Sequence, residues 1–190
     1  TLTFERITAE QGLTSNRING IAQDRTGFLW IATNNGLNRF DGVEIRQYAK
    51  KQDDTASLSG NAILALHCDE KDELWVLTLN YLHRYNKRLD NFDRYLISAR
   101  RESYRYENKG VITTGPDGQL WIGSPTDGLF MFNRKSSRSE RMLHDLNSVS
   151  SLYPDREGTL WIGSADGLLI RYDPEKNSPV LYRVPPEIRR

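Results

Sequence analysis

The sequence predicts an all-β fold, a β-propeller segment of four four-stranded blades, and three observations carry that prediction. One phrase recurs along the chain as "DRTGFLWIATNNG", "DEKDELWVLTLNY", "GPDGQLWIGSPTDG" and "DREGTLWIGSADG". All four tryptophans, Trp30, Trp75, Trp121 and Trp161, hold the same place in it, at separations of 45, 46 and 40 residues. A propeller blade takes roughly 40 to 50 residues. Short apolar runs alternate with turn signals throughout, without the 3.6-residue periodicity of an amphipathic helix.

The elements follow in chain order. Residues 1–8, with "FERI" at Phe4–Ile7, have the character of a fourth strand and predict an orphan outer strand. That strand would add to the last blade of a closed four-bladed ring or to a blade of a larger propeller. The blades themselves are predicted over residues 17–48, 61–97, 110–143 and 148–184. Each opens on a first strand, "RINGIAQD", "NAILALHCD", "GVITTG" or "SVSSLYPD".

A turn comes next, with Asp24, Asp69 or Asp155 six residues before the tryptophan and Gly27, Gly118 or Gly158 three before it. Aspartate accepts hydrogen bonds from local amides in such turns, and glycine adopts the positive φ they require. The second copy has Asp72 in the glycine's place, and the third has "GPDG". The second strands, "FLWIAT", "ELWVLT", "QLWIGS" and "TLWIGS", are apolar at consecutive positions. Neighbouring strand residues point to opposite faces, so both faces of these strands are predicted to be covered.

The second turn places Gly36, Gly128 or Gly167 after Asn or Asp, a short-hairpin signal. In the second copy Tyr81 replaces that glycine and predicts a wider loop. Third strands ("LNRF", "LHRY", "LFMF", "LLIRY") and more polar fourth strands ("VEIRQY", "NFDRYLI", "SERML", "PVLYRV") complete the blades.

Composition bounds the function. The 190 residues carry 26 Lys plus Arg against 25 Asp plus Glu, a net charge of +1, so no global field draws in nucleic acid. With 37% hydrophobic residues the chain can bury a core. No apolar run reaches the roughly 18 to 20 residues that span a bilayer, so no direct membrane insertion is expected of this segment. The opening "TLTFERITAE" lacks the basic and then apolar order of a signal peptide. Cys68 is the single cysteine and reads as a strand residue.

His67, His83 and His144 are dispersed, without the close ligand partners of a metal site. Neither a nucleophile elbow nor a phosphate-binding loop is present. The expectation is a chain with no catalytic residues, no metal and no cofactor.

Binding is expected in loops. In a propeller, the loop leading into the first strand and the loop between second and third strands emerge on one side of the disc. Here that side would carry Asn16, Arg17, Asn34, Asn35, Asn61, Tyr81, Asp127 and Asp166. Amides and an aromatic suit a sugar or other polar small ligand, and the same residues are also good turn formers. The stretch "SARRESYRYENKG" interrupts the repeat with Arg100, Arg101, Tyr104, Arg105 and Tyr106, a candidate loop for gripping a partner.

The phrase "GLTSNRINGIAQDRTGFLWIATNNGLNRFDG" resembles the two-component regulator propeller repeat of bacterial sensor proteins, and "SLSGNAILALHCDEKDELWVLT" resembles a second copy. The resemblance implies the N-terminal part of a periplasmic sensor region in an inner-membrane receptor. Histidine kinase or diguanylate cyclase output would lie on sequence outside this chain. The implied partners are a polar small ligand or oligosaccharide, further propeller repeats or a second protomer, and downstream signalling domains. A noncatalytic ligand-sensing segment is thus expected, and a constitutive protein-interaction scaffold without a small ligand stays open beside it.

Overall fold

The computed structural model describes residues 4–99 and 109–183. Among the described residues, sixteen strands form four antiparallel four-stranded meanders. Blade 1 contains β1 (Ile18–Gln23), β2 (Leu29–Thr33), β3 (Gly36–Phe40) and β4 (Ile45–Tyr48). Blade 2 contains β5 (Ala65–Cys68), β6 (Leu74–Leu77), β7 (Tyr81–Asn86) and β8 (Asn91–Leu96). Blade 3 contains β9 (Val111–Thr114), β10 (Leu120–Ser124), β11 (Gly128–Asn133) and β12 (Arg138–Met142). Blade 4 contains β13 (Ser151–Pro154), β14 (Leu160–Gly163), β15 (Leu168–Asp173) and β16 (Ser178–Arg183).

Every tryptophan lies on the second strand of its blade, and in blade 1 Trp30 stands between Ala22 of β1 and Arg39 of β3. The unbroken apolar runs are buried on both faces: all of β6 and β10 is buried, as is β2 from Trp30 to Thr33. The outer strands are more exposed, as polar edges should be, and every residue of β16 is exposed.

The chain divides into two compact units, one built on blades 1 and 2 and the other on blades 3 and 4, with residues 80–82 and 95–96 counted in the second. In the first unit Trp30, Leu37, Leu58, Ile63, Leu74, Val76, Tyr85 and Phe92 form the core. The Trp30 and Tyr85 rings meet edge to face at 4.6 Å, within the favourable range for aromatic pairs. In the second unit Trp121 packs with Leu129, Leu160, Ile162, Ile170 and Tyr172. Trp161 is only partly buried and stacks on Tyr182 at 6.3 Å.

Two local expectations meet a specific outcome. Phe4–Thr8 forms no strand, and Phe4 is 88% exposed. A strand exists only where a neighbour offers its N–H and C=O groups, and the outer position of each described sheet is already filled by β4, β8, β12 or β16. The segment instead leads into a short 3-10 turn at Ala9–Gln11, where Gln11 Oε1 accepts the Thr8 N–H at 2.8 Å. At the Tyr81 position, residues 78–80 join β6 to β7, one residue more than the 34–35 link of blade 1.

The motif glycines Gly27, Gly36, Gly118, Gly128, Gly158 and Gly167 all take positive φ. Gly128 is the most constrained, since at φ +84 a Cβ there would fall 2.0 Å from the Leu146 carbonyl oxygen.

Candidate functional site

The turn before the tryptophan is built around one carboxylate in blades 1, 2 and 4. Asp24 Oδ1 accepts the backbone N–H groups of Thr26 (3.0 Å) and Phe28 (3.1 Å), while its Oδ2 accepts the Trp30 indole N–H at 2.9 Å. Asp69 repeats this with Lys71 and Glu73 amides at 2.9 Å and the Trp75 indole at 3.0 Å. Asp155 does so with Glu157, Thr159 and the Trp161 indole at 3.1 Å.

Burial alone would raise the Asp24 pKa, but the bonds from Thr26, Trp30 and Phe28 outweigh it and hold the carboxyl below its ordinary value. These aspartates are therefore committed to the turn, as expected. Their bond to the indole was not foreseen, although the constant six-residue spacing is its signal.

A second repeated device ties down the loop leading into the first strand. In blade 1, Asn38 Oδ1 accepts the Thr14 N–H at 2.9 Å, and Asn38 Nδ2 donates to the Ile31 carbonyl at 3.2 Å. In blade 2, His83 stands at the equivalent place. Its Nε2 accepts the Ser59 N–H at 3.0 Å, and its Nδ1 lies 3.2 Å from the Val76 carbonyl. Hydroxyl pairs reinforce both loops, Thr14 with Thr33 and Ser59 with Thr78, each at 2.8 Å. Burial is complete at His83 and lowers its pKa to about 4, so the imidazole is neutral near pH 7.

These anchors position the candidate ligand residues. Asn16 Oδ1 accepts the Ala9 N–H at 2.7 Å, and Asn61 Oδ1 accepts the Lys50 N–H at 2.8 Å. Asn35 donates its N–H to Thr33 Oγ1 at 3.0 Å and its side-chain amide to the Thr14 carbonyl at 3.3 Å. Asp166 is exposed and accepts the Ser164 hydroxyl. Tyr81 opens β7 half-buried. Asp127 is only 4% exposed, with its N–H on Ser124 Oγ at 3.1 Å and its carbonyl on Arg141 Nε at 2.9 Å, so it lies within its turn rather than on the surface.

The remaining two candidates are Arg17 and Asn34. Arg17 is exposed. Asn34, in the β2–β3 link, has a buried Oδ1 with no hydrogen-bond partner among the described residues. Arg100, Arg101, Tyr104, Arg105 and Tyr106 lie outside the described residues.

Sequence reasoning also missed a polar cluster in the first unit. Asp90 Oδ1 accepts the hydroxyls of Tyr85 (2.6 Å) and Tyr48 (2.7 Å), and Arg46 pairs with its other oxygen. Burial opposes ionisation of Asp90, but the two hydroxyls and Arg46 outweigh it and keep its pKa below the ordinary value. These residues come from β4, β7 and the β7–β8 turn, and no local motif links them. Among the described residues, no group of three or more His, Cys, Asp or Glu side chains is placed to hold a metal ion.

Residues 12–35 and 145–166 match the two component regulator propeller family. A 56-residue stretch is 38% identical to histidine kinase P4 of Formosa agariphila, covering 30% of this chain and 4% of that protein. Among solved structures, the extracellular domain of a hybrid two component system from B. thetaiotaomicron superposes with a TM-score of 0.56 at 23% identity, over 93% of this chain and 31% of that one. A catalytically inactive virginiamycin B lyase from Staphylococcus aureus, solved with quinupristin, gives 0.69 at 14% identity over 92% and 58%. Both establish the fold. The chain thus spans a small part of the curated relative and about a third of the hybrid-system domain.

Proposed function

We propose that this chain, which carries two-component regulator propeller repeats, is a noncatalytic ligand-sensing segment of a bacterial signal-transduction receptor. The receptor would lie in the inner membrane with this segment in the periplasm and a kinase or cyclase output on further sequence. One observation carries the ligand reading. The loops around β1, β2 and β3 are held by hydrogen bonds, yet the buried Asn34 Oδ1 among them has no partner among the described residues. Leaving a buried acceptor unsatisfied costs about 1 to 3 kcal/mol, which a ligand donor at that loop would recover.

The ligand this favours is a polar small molecule, of which a neutral oligosaccharide is the first to test. Thermal shift against an oligosaccharide panel is expected to find one compound that stabilises the chain and loses its effect in Asn34→Ala. Stabilisation that survives in Asn34→Ala would move the site elsewhere.

The second reading, a protein-interaction scaffold, is favoured by the uncovered apolar face of blade 4. Tyr153, Leu169, Val180 and Tyr182 share it, 66%, 40%, 43% and 46% exposed. Such a face suits a further propeller sheet, a second protomer or another protein. No stabilisation by any saccharide, together with recovery of a stable protein complex, would favour it.

A further inference from the structure

Blade 3 breaks the aspartate–tryptophan rule. Gly115 stands where Asp24, Asp69 and Asp155 stand in the other blades. The Trp121 indole N–H makes no hydrogen bond to any described residue, although the side chain is only 3% exposed. The absence of a Cβ at position 115 is what allows this arrangement. A Cβ there would fall 2.8 Å from Trp121 Nε1 and 3.0 Å from Asp117 Oδ1. Asp117 does part of the missing aspartate's work, accepting the Gln119 N–H at 3.1 Å, and leaves the indole alone.

The indole borders a cleft of about 480 Å³ within the second unit. Its walls are the β9–β10 turn (Pro116, Asp117), the β13–β14 turn (Arg156 to Thr159), and Asp173 at the end of β15 with the β15–β16 turn after it (Pro174 to Lys176). These turns lie at the opposite end of their blades from the β2–β3 type of link, so this site is separate from the one proposed above and does not rest on it.

The lining dictates the chemistry. In three blades the partner of this indole is a carboxylate, so a carboxylate is the group whose place is open in the fourth. Arg156 is exposed on the cleft wall and supplies a second donor. Lys176 is already paired with Asp173 at 2.7 Å. The cleft also carries Asp117, Glu157, Asp173 and Glu175 against only Arg156 and Lys176, so a plain anion would meet an excess of negative charge. A ligand bearing both a carboxylate and an ammonium group satisfies both conditions.

We propose that this cleft is a binding site for a small zwitterionic amino acid. The ligand carboxylate bonds the Trp121 indole N–H and Arg156, and its ammonium faces Glu157 and Glu175.

The four indole N–H groups give a direct readout by proton–nitrogen correlation NMR on the chain at constant ionic strength. Glycine or leucine is expected to shift the Trp121 indole resonance saturably while those of Trp30 and Trp75 stay in place. Arg156→Ala, an exposed substitution, should weaken that response at least tenfold. Gly115→Asp, which supplies the carboxylate from within the blade, should abolish it. If Gly115→Asp does not fold, Arg156→Ala and Glu157→Gln decide alone. An unmoved Trp121 resonance, parallel unsaturable movement of all four, or an equal response to acetate or to glucose would overturn the assignment.

Discussion

The imidazole Nε2 of His83 accepts the backbone N–H of Ser59 at 3.0 Å while Nδ1 faces the Val76 carbonyl at 3.2 Å. This geometry admits only the neutral tautomer with its proton on Nδ1. A second proton would set two donors against each other in a site without solvent.

A pH dependence of stability follows. The His83 pKa is about 4 in the folded chain against 6.5 ordinarily, because burial penalises the charged form. Between those values the unfolded chain binds more protons, so the contribution is complete above pH 6.5 and is lost as pH falls toward 4. Urea unfolding should show a loss of about 2 kcal/mol from pH 7 to pH 5, most of a full effect of about 3 kcal/mol. His83→Asn, which copies Asn38 of blade 1, should remove that slope. An unchanged slope in the variant would place the titrating group elsewhere.

The Asp24 to Trp30 bond is expected to contribute as a charge-assisted pair. Asp24→Asn keeps an acceptor for the turn amides but points an NH₂ group at the indole N–H, and should cost about 2 to 3 kcal/mol. Trp30→Phe removes the indole donor and keeps an aromatic ring. In a double-mutant cycle followed by chemical denaturation, the two changes should couple by about 1.5 kcal/mol or more. Additivity would show that the bond contributes nothing.

Two glycines of the same motif should respond differently to alanine. Gly27 has φ +92, and no neighbouring atom lies within 4 Å of the place a Cβ would take, so Gly27→Ala carries only the left-handed backbone cost of about 1 to 2 kcal/mol. At Gly128 the same strain is joined by the Leu146 carbonyl oxygen at 2.0 Å, and the cost should be on the order of 4 kcal/mol. Thermal melts of the two variants provide the comparison, and equal losses would contradict the close approach.

Cys68 is expected to be a slow thiol. Burial, then the neighbouring Asp72 carboxylate 3.5 Å away, push its pKa up to about 11, so little thiolate exists at pH 8. Labelling by a disulfide reagent at that pH should be at least tenfold slower in the folded chain than in urea. Asp72→Asn should speed the folded reaction.

Much of this architecture could be read from the chain alone because its signals are local. The tryptophan spacing, the aspartate and glycine around each turn and the doubly apolar second strands each lie within a few consecutive residues, where propensity and turn chemistry act. The six-residue spacing even contained the aspartate–indole bond, since it recurs unchanged in blades 1, 2 and 4. The loop residues were less legible. Asn35 and Asp166 look alike as polar turn residues in sequence, yet one bonds the Thr14 carbonyl and the other a neighbouring serine.

The repeat, the strand order within each blade and the residues that shape its turns are therefore legible in the chain, because each depends on neighbours close along it. Packing in three dimensions is what leaves Asn34 Oδ1 without a partner among the described residues, brings Tyr48 and Tyr85 to one oxygen of Asp90, and sets the Trp121 indole beside a cleft where blade 3 has its glycine. Those outcomes depend on which groups from distant strands and turns reach one another. A buried polar group is satisfied or left wanting by its neighbours in space, and separation along the chain does not record them.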